Sequence, residues 1–135
     1  MSTEIQASII QIMVTMAAVD GSMSDSELDR MSAIVKQWPV FSGFDPSDIR
    51  SIADRSLTIL QDEDGLDVLM ASAKIDLPQK LFETAYAAAC DVAAADGVVS
   101  QEEAQMLEMI RHGLNLDRLI AAGIERGIRA RYTSI

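Results

Sequence analysis

The sequence predicts an all-α fold of about seven helices. Apolar residues recur every three or four positions along the chain of 135 residues, as they do along one face of a helix. No stretch alternates apolar and polar residues with the two-residue period of a strand. The stretch AAVDGSMSDSELDRM at 17–31 returns as AAADGVVSQEEAQML at 93–107, which repeats an Asp-Gly helical hairpin. An apolar content of 49% is sufficient for a core, so we expect one compact domain over 1–135.

Three helices are predicted before the middle of the chain. The first covers about 3–19, where apolar residues follow helical spacing. The second begins at Ser24, the N-cap of a Ser-x-x-Glu capping box, and ends near Trp38 because a proline follows. The third begins at Asp45, which precedes a proline at the first helical position, and runs to about Gln61. The apolar stripe of the first helix consists of Ile5, Ile9, Ile12, Met13 and Met16.

Four further helices are predicted in the rest of the chain. The fourth covers 66–75 and follows an acidic turn, QDEDGLD, which we interpret as solvated. The fifth begins at Pro78, and the sixth begins at Ser100 with a second capping box and is stopped by Gly113. Asp117 caps the seventh helix. That helix is expected to direct Leu119, Ile120, Ile124 and Ile128 inward, and Arg118, Arg126, Arg129 and Arg131 outward.

Several other residues are expected to pack in the core. Cys90 lies in the alanine-rich segment YAAACDVAAA, where a small apolar side chain fits. The aromatic residues Trp38, Phe41 and Phe44 surround a turn and are expected to be buried against a neighbouring helix. Core spacing is also found for Met13, Met16, Met31, Met70, Met106 and Met109.

The charge balance limits the classes of partner. With 21 acidic residues against 11 basic ones, the net charge of −10 repels phosphate backbones and anionic lipid, so neither nucleic acid nor a membrane is expected as a partner. A protein partner with a basic surface would be attracted. One cysteine, no basic leader segment and no apolar run of ~18 residues favour a protein of the cytoplasm.

Catalysis has little support in the sequence. His112 is the only histidine and lies near a helix C-terminus, where it can interact with the helix dipole. Without a second histidine or a credible nucleophile partner, hydrolysis of the Ser-His or Cys-His kind is not expected. The sequence therefore predicts a protein that binds rather than an enzyme.

The repeated hairpin motif places an aspartate near the C-terminal end of a helix in each copy. Asp20 and Asp96 occupy this position, where the helix dipole disfavours negative charge, so a compensating interaction is required. Gly21 and Gly97 follow them and are expected to adopt positive φ. In one interpretation the aspartates accept hydrogen bonds from backbone N–H groups beside the Ser24 and Ser100 caps.

In the other interpretation each hairpin holds a cation. Oxygen ligands suit hard cations, so calcium or magnesium would be the cofactor. The spacing differs from that of a standard calcium loop, because the glycine directly follows the first aspartate. The candidate metal ligands are Asp20, Asp25 and Glu27 in the first hairpin, and Asp96, Glu102 and Glu103 in the second. Since Ser26 stands where the second copy has Glu102, a ligand set that uses Glu102 is asymmetric.

The segments AAVDGSMSDSE and AAADGVVSQEE resemble the Ala-Asp-Gly-x-hydrophobe-Ser-x-x-Glu signature of the tellurite-resistance TerB family. A wider TerB-like superfamily includes the N-terminal domain of some DnaJ-type co-chaperones. The resemblance extends over nearly the whole chain and implies an all-helical protein of the cytoplasm that acts in tellurite resistance and stress by binding and assembly. It places the family's acidic residues on Asp20, Glu27, Asp96 and Glu103. The alternative hypothesis is an acidic adaptor, or a co-chaperone-like interaction domain, that needs no metal.

Overall fold

The computed structural model describes residues 2–19, 23–97 and 99–135, with the side chains of Ser2 and Asp96 left out. Within these ranges the chain forms helices and turns and no β-strand, as the sequence predicts. The α-helices are α1 (Ser2–Ala17), α2 (Asp25–Gln37), α3 (Ile49–Leu60), α4 (Gly65–Asp76), α5 (Phe82–Ala93), α6 (Gln101–Gly113) and α7 (Arg118–Tyr132). Short 3₁₀ turns cover Pro39–Phe41, Pro46–Asp48, Gln79–Leu81 and Ala94–Asp96. None of the described helices is long and apolar enough to cross a bilayer.

The helix starts agree with the predicted caps. The side chain of Asp45 accepts a hydrogen bond from the backbone N–H of Ser47 at 3.0 Å. Asp117 accepts from the N–H groups of Leu119 and Ile120 at 3.0 and 3.3 Å. The third and fifth predicted helices each begin with a 3₁₀ turn, and α1 ends at Ala17, two residues before the predicted end. Local capping chemistry therefore places the starts better than the ends.

The C-terminal end of α6 differs from the prediction. Gly113 is the last residue of the helix and does not supply the turn; Asn115 does, with φ of +54°. The N–H of Asn115 bonds to the carbonyl of His112, and that of Leu116 bonds to the carbonyl of Arg111, both at 3.1 Å. This pattern is a Schellman motif with asparagine at the left-handed position. Gly113 has a different role, because a Cβ there would lie 2.9 Å from Cε of Met70.

The core is built around α1 and α5, which pack against each other. Helix α1 also contacts α3 and α4, so apolar residues from several of its faces are completely covered. Its fully buried side chains include Ile9, Ile10, Met13 and Val14. Helix α5 contributes fully buried alanines, Ala85, Ala88 and Ala89, whose small size allows the two helices to approach closely. The alanine-rich segment thus serves helix packing.

The sequence repeat is also a structural repeat. Helix α6 begins and ends 76 residues after α2, and the central helices α1 and α5 precede these two helices. Helix α2 packs against both α5 and the turn Ala94–Asp96 that follows it. The first hairpin therefore adjoins the turn of the second.

The prediction of which α7 residues face the core is partly wrong. Leu119 is 82% exposed and Ile120 is 43% exposed, whereas Ala121 and Ile128 are buried and Ile124 is partly buried. Residues 121 and 128 lie seven positions apart and face α5, which rotates Leu119 away from the core. The predicted outward positions of the four arginines are confirmed.

The remaining core predictions hold with one exception. Phe41 is buried, and its ring meets that of Phe44 edge to face with centroids 5.9 Å apart. Trp38 packs against the core, and Cys90 is buried. Met109, in contrast, is 51% exposed, because it lies on the outer face of α6 while Leu107 and Ile110 face inward.

The acidic turn between α3 and α4 is solvated, as predicted. Asp62, Glu63 and Asp64 are all exposed. Gly65 follows them, and a Cβ at this position would lie 2.1 Å from the carbonyl oxygen of Ile59. The glycine is therefore required by the close approach of two backbone segments.

Candidate functional site

Both repeated hairpins contain a complete capping box. In the first, the N–H of Ser24 donates to Oε1 of Glu27 at 2.8 Å, and the N–H of Glu27 donates to Oγ of Ser24 at 3.2 Å. In the second, the N–H of Ser100 donates to Oε1 of Glu103 at 2.9 Å, and the reciprocal bond is 3.1 Å long. Two free N–H groups at each helix start are thereby satisfied, as predicted.

The two capping glutamates differ from the neighbouring acids in exposure. Glu27 and Glu103 are each only 5% exposed, whereas Asp25 and Glu102 lie exposed in the first turns of α2 and α6. Each capping box uses only one oxygen of its glutamate. Each hairpin thus combines one buried carboxylate with one solvated carboxylate at a helix N-terminus.

Some of the predicted site residues lie outside the described residues. These are Asp20 and Gly21, together with the side chain of Asp96. The backbone of Asp96 ends a 3₁₀ turn, and Gly97 follows it with φ of +83°, as predicted. Among the side chains that are described, no group of three or more His, Cys, Asp or Glu residues is arranged to hold a metal ion. The metal site therefore stays a prediction.

A buried polar cluster joins the two hairpins and was missed by the sequence analysis. Asp91 of α5 is 1% exposed, and its Oδ1 accepts a hydrogen bond from Nη1 of Arg30 at 2.7 Å. The hydroxyl of Tyr132 donates to the same oxygen at 2.8 Å. The Arg30 guanidinium carbon lies 4.1 Å from the centre of the Tyr132 ring, which is cation–π geometry. This cluster ties α2 and α7 to α5.

One sequence feature indicates this cluster in retrospect. Asp91 is the only charged residue in the segment 85–95, which is otherwise rich in alanine and predicted to be buried. A carboxylate on a buried helix face requires a positively charged or hydrogen-bonding partner. Arg30 lies 61 residues away in the sequence, so helical periodicity alone does not identify it.

A groove lies beside this cluster, between α5, α6 and α7. Its volume is about 610 Å³, and it is lined by Tyr86, Leu107 and Ile128 among others. Gly97 and Val99, from the second hairpin, contribute to its wall. The volume falls in the range of small-molecule sites. The second acidic hairpin is therefore continuous with a concave surface.

The floor of the groove carries neutral hydrogen-bonding groups. Tyr86 is fully buried, and its hydroxyl donates to Oε2 of Glu125 at 2.5 Å. Burial raises the pKa of the Tyr86 hydroxyl well above its usual range, and the bond to Glu125 raises it further. Burial also raises the pKa of the Cys90 thiol from 9.0 to about 12. Both groups stay protonated at neutral pH, so Cys90 is not a reactive thiolate.

These raised pKa values predict that stability falls in alkali. The unfolded chain releases the Cys90 and Tyr86 protons at lower pH than the folded chain, so the stabilisation is complete below about pH 9. The Cys90 part is lost as the pH rises through about 12, and the Tyr86 part is lost at still higher pH. The double variant Cys90→Ala/Tyr86→Phe should show a flatter fall in unfolding free energy, measured by urea denaturation across this interval. An unchanged slope would contradict the assignment.

A protein-family model matches most of the chain. The family model described as tellurite resistance protein TerB matches residues 6–123. No curated protein and no solved structure matches the chain. The matched range includes both Asp-Gly hairpins, both capping boxes and the start of α7. The chain therefore belongs to the TerB family of tellurite resistance proteins.

Proposed function

We propose that this chain is a non-enzymatic binding module of a stress response, in which the two acidic hairpins hold a divalent cation, calcium or magnesium. The observation that carries this proposal is the packing of α2 against the turn Ala94–Asp96. This contact brings the helix of the first hairpin against the turn that ends at Asp96 in the second. A role in resistance to tellurite rests on membership of the TerB family.

The available oxygen atoms suit such a cation. Glu27 and Glu103 are fixed by their capping boxes, which leave the second oxygen of each carboxylate for another interaction. Asp25 and Glu102 add solvated carboxylates one or two residues away. Calcium accepts six to eight oxygen ligands in flexible geometry, including water and backbone carbonyls. Asp20 and Asp96 would complete the two sets.

The overall electrostatic field favours cations. Sixteen carboxylate side chains are exposed among the described residues, and the net charge of the chain is −10. Ion pairs between described side chains that offset this charge include Arg30–Asp91 and Arg111–Glu108. A chain with this excess of exposed negative charge concentrates cations at its surface.

Cation binding should raise thermal stability. A ligand that binds only the folded state stabilises it by ~2.7 kcal/mol when the ligand concentration is a hundred times the dissociation constant. We expect calcium or magnesium to raise the melting temperature relative to chelator, and we expect the rise to disappear in Asp20→Asn/Asp96→Asn. The matched control is Asp62→Asn/Asp64→Asn, which removes the same charge from the exposed turn before α4.

A second pair of variants separates cation binding from helix capping. Glu27→Gln/Glu103→Gln keeps an acceptor for each capping bond, because glutamine also completes a capping box. This variant should retain its stability in chelator and lose the response to cations. An equal response of all variants to every cation would contradict the proposed site.

The capping geometry also favours a second candidate function, a metal-independent acidic adaptor. Glu27 and Glu103 already stabilise their helices without a cation, so the hairpins can be structural elements. The exposed carboxylates would then bind a basic protein partner. Such a complex weakens as salt is added, since exposed charges are screened over ~8 Å at physiological ionic strength. Binding that needs neither metal nor low salt would exclude both candidates.

A further inference from the structure

One side of helix α7 is exposed and combines a projecting leucine with an open glycine. At 100° per residue, Leu119, Gly123, Arg126 and Ala130 lie within a sector of about 60° on the side opposite the buried Ile128. Leu119 is 82% exposed and projects at one end of this face. A Cβ added at Gly123 would meet nothing within 4 Å, so the backbone is open to close approach there. We name these four residues the α7 face.

The α7 face is basic in a chain that is otherwise acidic. Helix α7 holds four arginines and one glutamate, which gives it a net charge of +3 against −10 for the whole chain. Arg126 lies within the face, and Arg118 and Arg129 both lie along one side of it. A face that combines apolar side chains with positive charge is complementary to a face that combines apolar side chains with negative charge.

Helix α4 presents such a face. Val68 is 48% exposed and Ile75 is 83% exposed, and with the exposed Ala71 they lie at spacings of three and four along one side of the helix. We name these three residues the α4 face. Helix α4 follows the exposed acidic turn at 62–64. The helix itself carries two acidic residues, Asp67 and Asp76, and one basic residue, Lys74.

We propose that the α7 face of one copy of this chain binds the α4 face of a second copy. Both faces are exposed within the same molecule, so neither covers the other. The pairing places the projecting Leu119 against Val68 and Ile75, and Arg126 beside the acidic turn. Charge complementarity selects a second copy as the occupant, because this chain itself carries the acidic apolar strip that the α7 face requires.

The symmetry of this contact makes a specific prediction. The two faces are different surfaces, so the interface is heterologous, and each added copy leaves one face of each kind free. The chain should therefore form open linear oligomers whose mean mass rises with protein concentration. Added salt should reduce the mean mass, since the flanking charges are screened.

The test measures mass by sedimentation velocity from about 10 μM to about 1 mM, a range that detects weak association. The variants Leu119→Glu and Ile75→Glu should each lower the association constant by about tenfold or more, because each places a charge in the contact. A mixture of the two should form 1:1 dimers and nothing larger, since each variant keeps one intact face. Gln37→Glu, at the exposed end of α2, adds the same charge away from both faces, and it is the control that should associate like the natural chain.

Three results would overturn the proposal. The natural chain could remain a monomer at low salt over the whole concentration range. The association could be lost in Leu119→Glu and unaffected in Ile75→Glu, which is the behaviour of a symmetric contact between two α7 helices. The mixed variants could fail to pair while circular dichroism shows that both are folded. The assay needs no metal, so its failure is distinct from failure of the cation site.

Discussion

Replacing Arg30 with methionine is expected to lower the free energy of unfolding by about 3 to 5 kcal/mol. The substitution leaves the carboxylate of Asp91 almost completely buried without its cation. The hydroxyl of Tyr132 would remain as a neutral donor, which is a weaker partner than a guanidinium. Because Arg30 joins the first hairpin to the helix before the second, the variant should also weaken the proposed cation binding.

The measurement is equilibrium urea denaturation of Arg30→Met beside the double variant Arg30→Met/Asp91→Leu. Removing both charged partners leaves no unpaired buried charge, so the double variant should recover most of the lost stability. A loss below about 1 kcal/mol in the single variant would show that the pair behaves like an exposed surface salt bridge.

Replacing Tyr86 with alanine is expected to lower the free energy of unfolding by about 3 to 5 kcal/mol, because it removes a fully buried aromatic ring and leaves a cavity in its place. Tyr86→Phe keeps the ring and removes only the hydroxyl that donates to Glu125. Glu125 is exposed, so water can replace the lost donor. The phenylalanine variant should therefore lose only about 1 kcal/mol.

These two variants are compared by thermal and urea unfolding. A large loss of unfolding free energy in Tyr86→Ala, with a small loss in Tyr86→Phe, would assign the stabilisation to packing of the ring against the core. Equal losses in the two variants would contradict this assignment and place the stabilisation in the hydroxyl.

Much of the fold was predictable because local chemistry determines it. The two Ser-x-x-Glu boxes start helices at Ser24 and Ser100 through contacts within a few residues. The side chain of Asp45 likewise caps the turn that follows it. Gly97 supplies positive φ because an Asp-Gly turn at a helix end requires it. These features depend on residues within a few positions of one another.

The features that were not predicted depend on contacts distant in the sequence. The orientation of α7 is set by its packing on α5, which selects Ala121 and Ile128 and turns Leu119 outward. The turn after α6 uses Asn115, whereas Gly113 lies beside Met70, which is 43 positions away in the sequence. Periodicity identifies an apolar side of a helix but does not fix which residues meet the neighbouring helix.

The candidate site was predictable only in part for the same reason. The capping roles of the repeated serines and glutamates follow from spacing and are confirmed. The cation ligands remain a prediction, since their convergence depends on how two hairpins 76 residues apart are arranged. The cluster around Asp91 depends on pairing across three helices.

The most direct test of the cation site is calorimetric titration of calcium, and separately magnesium, into the chelator-treated chain. We expect saturable binding to the natural chain and to Asp62→Asn/Asp64→Asn, and no measurable binding to Asp20→Asn/Asp96→Asn. Absence of saturable binding to the natural chain, or equal binding to both double variants, would contradict a cation site in the duplicated hairpins.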